Sequence, residues 1–229
     1  MLLLKSKNKI YFYIILFFSL TSIINLNIIN NIKTKFLINS IKINSNNMEI
    51  NPKVMNRIKY VLNKNIFSLE REILFNNLNN LKFLENISIK KEYPSSINVY
   101  VNKTKFIATT YVDQKKYYVG ENGKLINTNE FISENELPMI FGKFNINEYL
   151  AFINILKKQN VNFDKINKFY FHKNKRWDLY FENNILIKLP HKNIINAIKL
   201  YNQFKLNKGL QDNSILDLRI PNRIVLKNE

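Results

Sequence analysis

The chain has 229 residues, no cysteine and a formal net charge of +18 at pH 7. Its hydrophobic content of 46% is enough for packed cores, which excludes global disorder, and the length allows one large domain or two small ones. The absence of cysteine excludes disulfides, thiolate nucleophiles and cysteine metal sites.

The positive charge comes mostly from lysines that are scattered along the chain among many isoleucines and asparagines. These three residue types rise together in AT-rich genomes. Compositional bias is therefore favoured over a nucleic-acid interface, which would concentrate basic residues in one stripe. Weak attraction to acidic lipid headgroups or to a polyanionic wall stays open.

An apolar run without a charge follows a short tail of residues 1–9 and extends over residues 10–29. Twenty helical residues span about 30 Å, so the run predicts a transmembrane signal anchor. A cleaved signal peptide is the alternative, but the first alanine of the chain is Ala108, so no alanine cleavage site follows the run. The anchor residues are predicted to be Ile10, Tyr11, Phe12, Tyr13, Ile14, Ile15, Leu16, Phe17, Phe18 and Leu20.

A linker at 30–37 is predicted to lead into a first domain at 38–105 with the order strand–helix–helix–strand–strand. Asn51 and Pro52 mark the start of the first helix, and Ser68 is the predicted cap of the second. Alternating apolar and polar residues then predict two strands, which are joined by a turn at 93–96.

A second domain at 106–229 is predicted to be mostly antiparallel strands with two helices. Asn122-Gly123 is a strong hairpin signal, because this pair favours positive backbone angles. Helical spacing of apolar residues predicts helices at 147–159 and 191–206. Between them, residues 176–190 predict two strands around a polar turn, opened by the single tryptophan, Trp177.

Catalytic signals are weak. His172 and His191 have no histidine at metal-ligand spacing, and Asp164, Asp178 and Asp217 fall in different predicted elements. No catalytic residue, metal or cofactor is therefore predicted. The aromatic and basic residues at 169–177 could form a stacking platform for single-stranded nucleic acid, but a strand followed by a basic hairpin loop is favoured.

Several features in this order resemble the FtsQ/DivIB family of bacterial cell division proteins. They are the anchor, the first domain with its proline turn at Pro94, the Asn-Gly hairpin, the Trp-Asp hairpin and the ending Leu216-Asp217-Leu218-Arg219. The first domain resembles a POTRA (polypeptide-transport-associated) module. Asn102 and Lys105 depart from the acidic residue and the proline that commonly follow its last strand in the family.

The resemblance implies an α+β protein without enzymatic activity, with its tail in the cytoplasm and its bulk in the periplasm. Similar proteins are single-pass inner-membrane scaffolds at the division septum. They bind FtsB-like and FtsL-like proteins and connect them with septal wall synthases of the FtsW/FtsI type. In the family, a C-terminal strand accepts a partner strand by sheet extension. Carried onto this chain, the contact residues are Ile220, Arg223, Ile224, Val225, Leu226 and Lys227.

A component of polypeptide translocation or outer-membrane assembly is the alternative, because such proteins also carry POTRA domains. They are expected to continue into a long β-barrel, which these residues do not include, so a division role is favoured. Location in the cell separates the two, since midcell rings indicate division and uniform envelope staining indicates transport.

Overall fold

The computed structural model describes residues 3–22, 34–133, 136–208 and 211–228. The chain divides into two compact units. Unit 1 comprises Met1–Asn80 and Asn86–Asn102, and unit 2 comprises Leu81–Glu85 and Lys103–Glu229.

The first described element is a helix, α1, at Leu3–Ser22. Three lysines lie in its first turns, so the described part without a charge runs from Ile10 to Ser22, a rise of about 20 Å. Crossing the hydrocarbon core takes about 30 Å. Within the described ranges, no helix combines the length and the apolar character that a membrane span requires. The predicted transmembrane helix is therefore wrong, and residues 23–29 of the prediction lie outside the described residues.

Unit 1 has the α+β class and the element order that its sequence pattern predicts. Its elements are β1 (Ser40–Ser45), α2 (Asn51–Ile58), α3 (Arg71–Asn79), β2 (Leu84–Glu92) and β3 (Ser96–Lys103). Strand β3 is the middle strand of the three-stranded sheet, and β1 pairs with it in parallel. Buried apolar side chains of β3 and the two helices form the core of the unit: Ile97, Val99, Val101, Val54, Ile58, Leu74 and Leu78.

The described residues of unit 2 form a nine-stranded sheet and two α-helices. Its strands are β4 (Phe106–Val112), β5 (Lys115–Gly120), β6 (Leu125–Asn127), β7 (Met139–Phe141), β8 (Ile166–Phe171), β9 (Trp177–Phe181), β10 (Leu186–Lys188), β11 (Ser214–Asp217) and β12 (Val225–Asn228). The helices are α4 (Ile146–Lys158) and α5 (Ile194–Lys208). The strand order across the sheet is β12-β11-β10-β9-β8-β7-β4-β5-β6.

One face of this sheet is buried beneath the helices. A row of side chains in register across five neighbouring strands faces them: Ile140, Phe169, Leu179, Ile187 and Leu216. Trp177 stacks on Phe152 of α4 with a centroid distance of 5.1 Å and an interplanar angle of 4°. This packing fixes the central strands and leaves β12 and β6 as the two margins of the sheet.

Candidate partner-binding edge

Strand β12 forms one margin of the sheet. It pairs antiparallel with β11, with Val225 opposite Asp217 and Leu226 opposite Leu216. Strand β11 is in turn paired in parallel with β10. In the part of the chain that the structure describes, no strand lies on the outer side of β12. Alternate peptide groups along β12 therefore point away from the sheet and can accept another strand.

The residues predicted to contact a partner divide between this strand and the turn before it. Val225, Leu226 and Lys227 lie on β12, whereas Ile220, Arg223 and Ile224 precede it. The turn is closed by a hydrogen bond from the Arg223 amide to the Ile220 carbonyl at 3.2 Å.

The apolar side chains of this segment have different environments. Ile224 packs against the core of unit 2. Val225 and Leu226 are 49% and 47% exposed, and Ile220 is 49% exposed. The edge thus offers apolar surface next to backbone groups that have no strand partner, which is the combination that strand addition uses.

An ion pair fixes the chain where β11 ends. The Nε of Arg219 donates to both carboxylate oxygens of Asp217, at 2.7 and 2.9 Å, and the Arg219 amide donates to Oδ1 at 3.1 Å. The side-chain hydrogen bond from Arg219 lowers the pKa of Asp217, and the same bond raises the pKa of Arg219. Because β11 ends at Asp217, the pair lies at the end of the strand.

A cleft of about 770 Å³ lies beside the turn. Its walls come from the hairpin before β9, the start of α5 and the segment between β11 and β12. The lining includes Arg176, His191, Lys192 and Arg219, together with Asp217. Asp217 and Arg219 neutralise each other within this lining, and Lys192 adds a further positive charge.

The Trp-Asp hairpin holds one wall of this cleft in place. His172 Nε2 donates to Oδ2 of Asp178 at 2.8 Å, and a terminal nitrogen of Arg176 lies 3.3 Å from the same oxygen. Asp178 is buried, and both contacts are made to its Oδ2 atom. Asp178 therefore positions Arg176, which lines the cleft.

Residues 108–219 match the family model described as "Cell division protein FtsQ/DivIB, C-terminal". The comparisons confirm the resemblance of this chain to the FtsQ/DivIB family. The matched range stops at Arg219, so the edge residues from Ile220 to Lys227 lie beyond it.

Curated FtsQ/DivIB relatives cover more of the chain. The cell division protein FtsQ of Rickettsia bellii is 28% identical over 178 residues, which are 76% of this chain and 65% of the relative. FtsQ of Agrobacterium fabrum is 20% identical over 197 residues, which are 84% of this chain and 61% of the relative. The chain thus spans slightly less than two thirds of the length of these relatives.

Among solved structures, the major extracytoplasmic domain of DivIB from Geobacillus stearothermophilus is similar to this chain. The sequence identity is 13%, the TM-score is 0.31, and the match covers 48% of this chain and 98% of that domain.

Proposed function

We propose that this chain is a non-enzymatic scaffold of bacterial cell division, which captures partner proteins on the open edge of β12. The similarity to FtsQ/DivIB proteins supports a role in division, and the position of β12 at the sheet margin supports capture by strand addition. The partners in this proposal are FtsB-like and FtsL-like proteins. Through them the scaffold connects with septal wall synthases of the FtsW/FtsI type on the periplasmic side of the septum.

Main-chain hydrogen bonds supply the attachment in this proposal. Four residues of β12 pair with β11, and the same length of edge is available to an incoming strand. Pro221 carries no N–H, so pairing begins after it. Leu226 lies in register with the buried Leu216, whereas Val225 and Lys227 point to the opposite face. The captured segment therefore needs an apolar residue on the face that it shares with Leu226.

The cleft beside the turn adds selectivity to the proposed contact. Arg176 and Arg219 line it, and both are held by carboxylates of this chain, so their positions are set before a partner arrives. An acidic residue next to the added strand would enter this cleft. Electrostatic contacts of this kind favour the correct partner and the correct register.

Paired proline substitutions test the proposal. Neighbouring N–H groups on an edge strand alternate between the inner and the outer side, so only one of Val225→Pro and Leu226→Pro removes an outward N–H. We expect that variant to lose at least about tenfold in affinity for the FtsB-like protein of the same bacterium while the unit stays folded. The other variant removes a bond to β11 and so lowers the stability of the edge itself.

Val225→Thr is the matched control, because it keeps the backbone N–H and the β-branched shape. Affinity is measured by co-purification and titration, and folding by the fluorescence of Trp177, which is buried in the core of unit 2. Capture of the partner at wild-type affinity by both proline variants would refute strand addition at β12.

A further inference from the structure

Three aromatic rings gather on the surface of unit 1. The ring of Phe67 lies 4.9 Å from that of Phe36 and 5.2 Å from that of Tyr93, with Phe67 and Tyr93 stacked. Phe67 is 59% exposed and Tyr93 is 56% exposed. Two large rings that are more than half exposed and side by side form an apolar patch, and such patches mark interaction sites.

Backbone hydrogen bonds bring three separate segments together beneath these rings. The Ile66 amide donates to the Phe36 carbonyl at 2.9 Å, and the Asn39 amide donates to the Ser95 carbonyl at 2.9 Å. The rings therefore come from the start of the unit, from the turn before α3 and from the turn between β2 and β3, and all three are fixed at one end of the unit. This end, with Phe36, Phe67 and Tyr93, is called the aromatic end below.

The charges in the same segments are mostly positive. Lys35 and Lys64 are exposed; Lys35 directly precedes Phe36, and the Lys64 carbonyl accepts a hydrogen bond from the Ile38 amide at 2.9 Å. The acid nearest to Tyr93 in sequence, Glu92, pairs with Lys42 at 3.5 Å, which reduces its negative field. An occupant of this surface has to cover apolar rings and also supply negative charge.

We propose that the aromatic end is a peripheral docking surface for an anionic lipid bilayer. Aromatic side chains settle at the level of lipid headgroups, and lysines around them are attracted to acidic lipids. A second copy of the chain is disfavoured as the occupant, because the charge of +18 makes two copies repel each other. The contact lies on the surface of unit 1 and does not involve α1 or strand β12.

The absence of cysteine permits a site-specific test on the full chain. Ser68→Cys places one thiol beside Phe67, and Met48→Cys places one at the opposite end of β1, about 20 Å away along the strand. Each is labelled with a polarity-sensitive fluorophore and mixed with vesicles of phosphatidylcholine, with or without 30% phosphatidylglycerol. We expect the label at position 68 to brighten on the anionic vesicles and the label at position 48 to stay unchanged.

Substitution of the rings gives the second measurement. In the Ser68→Cys background, Phe67→Ser together with Tyr93→Ser is expected to weaken the anionic-vesicle response at least about tenfold. Phe75→Ser is the matched control, since Phe75 is a 43% exposed aromatic on α3 of the same unit, and it should leave the response unchanged.

Three outcomes would overturn the proposal. Equal brightening at positions 48 and 68 would show that another part of the chain drives binding. Equal brightening on neutral vesicles would exclude the anionic surface. If the label at position 68 brightens with increasing protein concentration in the absence of vesicles, the rings contact a second copy of the chain.

Discussion

The two margins of the nine-stranded sheet are built in different ways. At one margin, β6 has only three residues, its central Ile126 is completely buried, and a short 3₁₀ helix at Thr128–Glu130 follows at once. At the other margin, β12 presents Val225 and Leu226 with almost half of each residue exposed. Buried edges resist pairing with other chains, whereas edges with exposed apolar side chains invite it. The difference indicates that the β6 margin serves the fold and that the β12 margin is available for a partner.

The largest expected effect is a difference in the free energy of unfolding between a substitution at one margin and a substitution at the other. Ile126→Ala should lower the free energy of unfolding by about 2–5 kcal/mol, because it leaves a cavity at a fully buried position. Leu226→Ala should cost less than about 1 kcal/mol, because almost half of that residue is already in water. Urea unfolding followed by Trp177 fluorescence measures both. Equal losses would show that β12 is as much a part of the core as β6 is.

A smaller effect is expected at the turn that leads into β6. A Cβ added to Gly120 would lie 2.6 Å from Asn122 Oδ1 and 2.8 Å from Thr104 Cγ2. Asn122 has little freedom to move, since its side-chain amide donates to the Lys82 carbonyl at 2.9 Å. Gly120→Ala should therefore destabilise unit 2 by about 1–3 kcal/mol.

The matched control for this turn is Lys115→Ala at the exposed start of β5. It should change the free energy of unfolding, measured by urea titration, by less than about 0.5 kcal/mol. If Gly120→Ala is equally mild, the turn can adjust, and the β6 margin is less rigid than its packing indicates.

The smallest effect concerns the ion pair beside β12. Arg219 holds the pKa of Asp217 below its usual value, so the pair stabilises the fold above the unfolded pKa of about 3.9. That contribution is lost as the pH falls through the lowered pKa of the folded state. Asp217→Asn should remove at most about 1 kcal/mol at pH 7 and almost nothing below the folded pKa.

Urea midpoints at pH 7 and at a series of lower pH values measure this dependence, with Asp212→Asn as a control at an exposed acid just before β11. If the Asp217→Asn variant and the wild type lose stability in parallel on acidification, the pair contributes nothing to the β12 margin.

Local elements were predictable from the sequence because their signals are local. The helix predicted at 147–159 is α4 at Ile146–Lys158, and the helix predicted at 191–206 is α5 at Ile194–Lys208. The Asn-Gly pair lies in the turn between β5 and β6, with a φ of 75° at Gly123. Apolar spacing and turn residues report the conformation of a few neighbouring residues, so these elements follow directly from the pattern.

Contacts between distant segments were not predictable in the same way. Strand β7 has three residues and lies between β4 and β8, parallel to both, although no strand was predicted at these residues. Ser68 was predicted to cap α3, but the helix begins at Arg71 and the Ser68 hydroxyl donates to the Asn65 carbonyl at 3.0 Å. In both cases packing by other parts of the chain decides the outcome.

The candidate site shows the same limit. No sequence pattern states which strand is outermost, so the residues from 220 to 227 came from the family resemblance, and the strand order alone shows which of them lie at a margin. The pair of His172 and Asp178 was missed because the acids were treated as isolated. The signal was present in the hairpin, where register places Tyr170 opposite Asp178 and brings His172 close.

The antiparallel join between β11 and β12 also has a mechanical consequence. Hydrogen bonds of such a ladder lie perpendicular to the strands, so tension along the strand axis loads all of them together, whereas tension across it opens them one at a time. A segment docked on β12 would therefore resist sliding far better than peeling. During constriction of a cell envelope, the direction of the force would decide how long such a joint lasts.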